Sequence, residues 1–231
     1  MIFLAERIYT IPVNEVFKER DGCPICKMRD ILEERSLEYI LGAAMMEPDV
    51  RIETNKKGFC KDHFFMMTNR RKRLPLALIM ETHLDEIAKD IKHKKLRPDK
   101  KEIKSGDVSR KSCFVCERID WAMQRMYATI AKLYSEEMDF REDFRAQQCI
   151  CLEHYRELFA FCAPKVSSRW RGDFEKDTET LSLNFVKSIR EEVHYFSRMF
   201  DYNNSGENAD FKNSKDSIER AIWYLTSRLP K

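Results

Sequence analysis

Glycine and proline are scarce: 6 and 7 of 231 residues, about half the usual ~12% share, and turn-rich all-β folds need more of both. No apolar run approaches the ~18 residues of a membrane-spanning helix. The opening apolar stretch is broken by Glu6 and Arg7, so no signal-peptide core is expected. A dominant charge is missing as well, because 42 basic and 39 acidic residues leave +3, too little to demand a polyanionic partner. There is no Gly-rich phosphate loop, no GxSxG and no HExxH, so nothing points to catalysis. What remains is a chain that is 43% hydrophobic and 11% aromatic, too apolar for a disordered protein and long enough to bury a core. An all-α protein of the cytoplasm is expected. Thiols stay reduced in that compartment, so eight cysteines need an explanation other than crosslinking.

Six of them fall into a repeat. Cys23-Pro24-Ile25-Cys26 returns as Cys113-Phe114-Val115-Cys116 after 90 positions, and Cys60-Lys61-Asp62-His63 returns as Cys151-Leu152-Glu153-His154 after 91. The gaps inside the halves are 33 and 34 residues. Asp49-Val50-Arg51 and Asp139-Phe140-Arg141 keep the shift of 90, so one insertion before Cys151 accounts for the difference. A four-residue pattern repeated in register implies internally duplicated helical units.

The segments between these anchors read as helices. Val115, Ile119, Ala122, Met126, Ile130 and Leu133 step by three or four residues along one face, and Ile31–Leu41 should form a helix that stops around Gly42 and Pro48. A second helix should begin at each CxxH pair. Third helices carry the stripes Leu76, Met80, Leu84, Ile87, Ile91 and Val186, Ile189, Val193, Phe196, Phe200. A polar loop, Tyr202–Lys212, should precede a last helix with Ile218, Ile222, Leu225 and Leu229 on one face. The expected organisation is a first helical repeat over 1–93, a linker over 94–111 and a second repeat plus C-terminal helix over 112–231. The linker holds eight Lys or Arg against three Asp or Glu, with Pro98 and Gly106 as breakers.

Three thiols and one imidazole are the donor set of a closed tetrahedral Zn2+ site. Two such sites are expected, one in each half: Cys23, Cys26, Cys60 and His63, then Cys113, Cys116, Cys151 and His154. Helix N-termini favour the thiolate form. A chain that leaves along a ~30 Å helix can return within the gap that follows. Cys149 is a rival to Cys151, and the repeat register favours Cys151. Cys162, among Phe159, Phe161 and Ala163, reads as core. Asp49 and Asp139 recur with the ligands, so each can accept the N–H of a ligating histidine. Arg51 and Arg141 can offset thiolate charge. An Asp cap and a surface Arg are the competing reading. His83 and His93 read as surface or core positions, and Trp121 and Trp170 as packing.

The run from Asp49 to Phe64, with Cys23-Pro24-Ile25-Cys26 and the opening Ile8-Tyr9-Thr10-Ile11-Pro12-Val13-Asn14, resembles a family of bacterial proteins known only as a domain of unknown function. Members are sometimes labelled transporter substrate-binding proteins. This chain departs from that label, with neither an export signal nor a two-lobed α/β pattern. The resemblance implies a bacterial cytoplasmic protein with paired cysteine motifs and carries over no activity.

The residues favour a non-catalytic zinc-binding protein, an interaction or scaffold module whose helical faces meet a protein partner. Thiol redox chemistry through the CxxC pairs is the alternative. Nucleic-acid binding is a further one, because Arg70-Arg71-Lys72-Arg73 and the linker together carry nine net positive charges, although no aromatics are interleaved with them. No membrane association is expected.

Overall fold

The computed structural model describes residues 2–98, 103, 112–200 and 211–228, and among them all regular structure is helical. In chain order these are α1 (Ile2–Glu19), α2 (Pro24–Ile40), α3 (Pro48–Lys57), α4 (Lys61–Asn69), α5 (Arg73–Lys92), α6 (Phe114–Glu136), α7 (Met138–Arg145), α8 (Leu152–Glu157), α9 (Arg171–Arg198) and α10 (Ser217–Thr226). No helix among the described residues is long and apolar enough to cross a membrane. Most of the basic linker over 94–111, most of the loop Tyr202–Lys212, and Leu229 lie outside the described residues.

Helix starts recur with the cysteine anchors: Pro24 and Phe114, and Pro48 and Met138, are 90 apart, while Lys61 and Leu152 are 91 apart. Contacts divide the chain differently. One compact unit joins Met1–Asp30 to Met123–Lys231, and the other is Ile31–Ala122, so each unit draws on both halves of the sequence.

The first unit is built around aromatic side chains. Phe17 of α1 meets Phe140 and Phe144 of α7, with ring centroids 4.9 and 5.6 Å apart. Phe144 continues to Tyr134 of α6 and Phe174 of α9, at 5.4 and 5.3 Å. Such pairs add about 0.5–1.5 kcal/mol each beyond the area they bury. The loop after α7 is tied to the last turn of α1 and to the loop before α2. The Gln147 amide donates to the Phe17 carbonyl, and the Gly22 N–H donates to Gln148 Oε1 at 2.9 Å. Gly22 has φ 67°, a conformation that costs glycine little.

In the second unit, Leu37, Ile40, Leu41, Met67 and Ile79 are buried. A polar ladder joins α3 to α5: Arg51 donates to the Leu78 carbonyl and Thr82 Oγ1, Thr82 donates to Asn55 Oδ1, and His83 Nδ1 lies 2.9 Å from the Asn55 carbonyl. That ladder sets which face of α5 is covered.

The expected stripe on α6 is buried from Val115 to Leu133. Two other stripes need correction. On α5 the buried positions are Leu76, Ile79 and His83, while Leu84 and Ile91 are exposed. On α10 the buried positions are Ser217 and Tyr224, while Ile218 and Leu225 are exposed. Both helices turn toward hydrogen-bonding partners: His83 toward Asn55, and Tyr224 toward Ser182, whose hydroxyls are 2.7 Å apart. Trp170 packs against the Arg141 guanidinium at 4.1 Å. Trp121, expected in packing, is 55% exposed.

Candidate metal centres

All four cysteine-containing pairs occupy the same place on a helix. The carbonyls of Cys23, Cys60, Cys113 and Cys151 accept the first helical hydrogen bonds, from Lys27, Phe64, Glu117 and Tyr155, at 2.8–3.2 Å. Each of these cysteines is therefore an N-cap, and Cys26, His63, Cys116 and His154 follow at the third helical position. Side chains at those two positions face each other across the first turn. Any C-x2-C or C-x2-H pair that starts a helix thus presents two donors side by side, near the positive end of the helix dipole.

Two helix starts converge on each centre. In the first unit, α2 and α8 bring together Cys23, Cys26, Cys151 and His154, all buried. Nδ1 of His154 lies 3.0 Å from Cys151 Sγ, 3.3 Å from Cys26 Sγ and 3.7 Å from Cys23 Sγ, and the Cys26 and Cys151 sulfurs are 3.6 Å apart. In the second unit, α4 and α6 bring together Cys60, His63, Cys113 and Cys116. Nδ1 of His63 lies 3.0, 3.3 and 3.5 Å from the sulfurs of Cys60, Cys113 and Cys116, and Cys60 is 3.9 Å from Cys116. A tetrahedral zinc ion with ordinary bond lengths needs S···S edges of about 3.8 Å and S···N edges of about 3.6 Å. The two S···S distances, 3.6 and 3.9 Å, are close to that edge, while the S···N distances of 3.0–3.7 Å run up to about 0.6 Å shorter than theirs.

The grouping within each half of the sequence is thereby corrected. Cys60 and His63 are gathered with Cys113 and Cys116 instead of Cys23 and Cys26. Likewise Cys151 and His154 are gathered with Cys23 and Cys26. The cause is local. The Phe114 N–H donates to the Gly58 carbonyl at 2.9 Å, and Ser112 Oγ donates to the Lys57 carbonyl at 2.8 Å, so the start of α6 is held beside the start of α4. The Gly22–Gln148 bond does the same for the starts of α2 and α8. Loop reach permitted a return to Cys23 without requiring it. Cys149 is fully buried outside the cluster, and Cys162 is buried with its thiol donating to the Tyr127 carbonyl.

The residues expected to support the ligands are placed elsewhere. Asp49 and Asp139 are exposed in the first turns of α3 and α7, where a carboxylate meets the helix dipole. Arg51 serves the α3–α5 ladder, and Arg141 donates to the Tyr134 carbonyl at 2.8 Å while stacking on Trp170. The carboxylates beside the histidines are Glu33, whose Oε1 is 3.0 Å from His63 Nε2, and Glu157, whose Oε2 is 3.7 Å from His154 Nε2. Glu157 also accepts the Tyr127 hydroxyl. Glu157 follows His154 by three residues, a spacing that marks helix neighbours in sequence; Glu33 lies on another helix from His63 and had no such signal. Ser227 joins the first centre, its Oγ 3.1 Å from Cys151 Sγ, in a left-handed conformation of φ 59°.

Within each cluster the thiols and the imidazole shift one another's protonation. The hydrogen bond with Cys116, joined by one with His63, holds the Cys113 thiol down to about 3. Cys151 is held well below the ordinary thiol range by Cys23 and Cys26 and then by His154. Sharing pushes Cys116 and Cys26 the other way. Burial alone would lower both histidines, but hydrogen bonds and neighbouring thiolates raise each to about 10. Each cluster therefore keeps a thiolate beside an imidazolium.

Fold and sites define an all-helical protein with two four-donor Cys3His groups. The chain belongs to the family of unknown function DUF6062, whose model matches residues 4–231. No curated protein and no solved structure matches it.

Proposed function

We propose that this is a non-catalytic zinc protein, in which two structural Cys3His sites pin helix starts together and the helical surface serves a protein partner. The observation that carries the reading is the pair of Cys3His donor sets, each with its four ligand atoms within 4.8 Å of one another. Four protein ligands leave no position for a substrate or water. The donor mixture suits zinc among divalent ions, and a Cys3His set with such an ion carries only about one net negative charge. The exposed Leu74, Leu84 and Ile91 on α5 supply apolar area for a partner. Eight free thiols and the family resemblance support a bacterial protein of the reducing cytoplasm, its chain internally duplicated. A dithiol oxidoreductase would leave each CxxC open to a substrate, whereas here each faces a CxxH pair. Metal analysis of protein purified without chelator should return about two zinc ions per chain, and a value well below one overturns the reading.

A further inference from the structure

The two centres differ in one respect that bears on their chemistry. All four members of the first are buried, whereas Cys60 and Cys116 of the second are partly exposed, and they are the two of the eight cysteines that are not buried. These two are also neighbours, with sulfurs 3.9 Å apart and backbones on different helices, α4 and α6. In the first centre Cys151 has the Ser227 hydroxyl at 3.1 Å, and a hydrogen bond to a thiolate withdraws the electron density an oxidant would attack.

We propose that the second centre is an oxidant-responsive metal site: a peroxide converts Cys60 and Cys116 to a disulfide, the bound ion leaves, and the first centre keeps its own. The inference rests on the zinc reading above. The steps balance with hydrogen peroxide as the oxidant. The sulfur of one thiolate attacks a peroxide oxygen, the O–O bond breaks, and a sulfenic acid and hydroxide form. The second thiolate then attacks the sulfenic sulfur and displaces a second hydroxide, giving the disulfide. Two sulfurs lose two electrons in all, peroxide gains two, and two protons from solvent turn the hydroxides into water. Cys113 and His63 remain as the only protein donors, too few to retain a tetrahedral zinc ion. A dithiol reductant and free zinc reverse the change. Reduction by the dithiol re-forms both thiolates as the reductant itself closes to a disulfide.

The experiment uses the full-length protein carrying zinc. Metal content is measured first, so a shortfall there defeats the zinc reading before any oxidant is added. Protein that holds zinc at both centres is then titrated with hydrogen peroxide against a chromogenic zinc indicator, and its disulfides are mapped on peptides. Release of about one zinc per chain with a Cys60–Cys116 disulfide, the second ion leaving at least about tenfold more slowly, is the expected result. Dithiothreitol plus zinc should restore full occupancy. Release of both ions at one rate, release of neither, or a disulfide containing Cys23, Cys26 or Cys151 overturns the proposal. As a second measurement, Ser227→Ala should speed the slow release at the first centre and leave the fast phase unchanged; an unaltered slow phase removes the role given to the hydroxyl.

Discussion

Nε2 of His63 lies 3.0 Å from Oε1 of Glu33, while Nδ1 of the same ring faces three sulfurs. The carboxylate thereby fixes which nitrogen is presented to a metal and raises its basicity. Glu33→Ala should weaken zinc binding at the second centre by about 10–100-fold and leave the first unchanged, as read by competition with a chromogenic chelator. Equal retention in variant and wild type would show that the ring is held by its packing alone.

The partnership of α2 with α8, and of α4 with α6, is open to direct test by pairing substitutions. Cys23→Ser and Cys151→Ser remove donors from one centre, so the double variant should lose about one zinc per chain. Cys23→Ser with Cys60→Ser strikes both centres and should lose about two. Grouping within each half of the sequence would give a single loss for the second pair and a double loss for the first. Metal content by elemental analysis separates the outcomes.

The eight clustered side chains and their helix-start positions were legible in sequence from the CxxC and CxxH spacings, and Cys151 rather than Cys149 is the one found in a cluster. Partnership was not, because a sequence with two CxxC and two CxxH pairs offers each CxxC two similar partners, and hydrogen bonds such as Phe114 to Gly58 decide between them. The helices at CxxC and CxxH were legible from period and anchors, whereas α1, α3 and α7 were not assigned. The covered faces of α5 and α10 were misread because a search for Leu and Ile does not register that His83 and Tyr224 are drawn inward by Asn55 and Ser182.

Gly58 closes α3 at φ 64° and ψ −159°, a region open to glycine and closed to residues with a Cβ. Its carbonyl holds the start of α6 through Phe114. Gly58→Ala should therefore cost about 1–3 kcal/mol of stability and lower zinc affinity at the second centre in the same variant, because the turn and the Cys113 N-cap move together. Chemical denaturation with and without zinc reads both quantities. A stability loss with unchanged metal affinity would uncouple the turn from the site.

The raised value of His63, about 10, contributes to the pH behaviour of the second centre together with the raised Cys116 thiol. Burial opposes the charge, but hydrogen bonds to Cys113 and Glu33 and the nearby sulfurs outweigh it. The unfolded imidazole titrates near ~6.5. In the metal-free protein, the stability supplied by this imidazolium is therefore complete below about 6.5 and is lost as pH rises through 10. A metal ion takes the neutral ring and must displace that proton, so affinity moves in the opposite sense and rises with pH across the same window. Zinc added to metal-free protein in weak buffer near neutrality should release protons, and apparent affinity should climb by up to about tenfold per pH unit for each proton displaced. Competition titrations from pH 6 to 9, corrected for protonation of the chelator, measure that slope. A flat profile would mean that the ring is already neutral in the metal-free cluster and that Glu33 and the thiolates do not hold its proton.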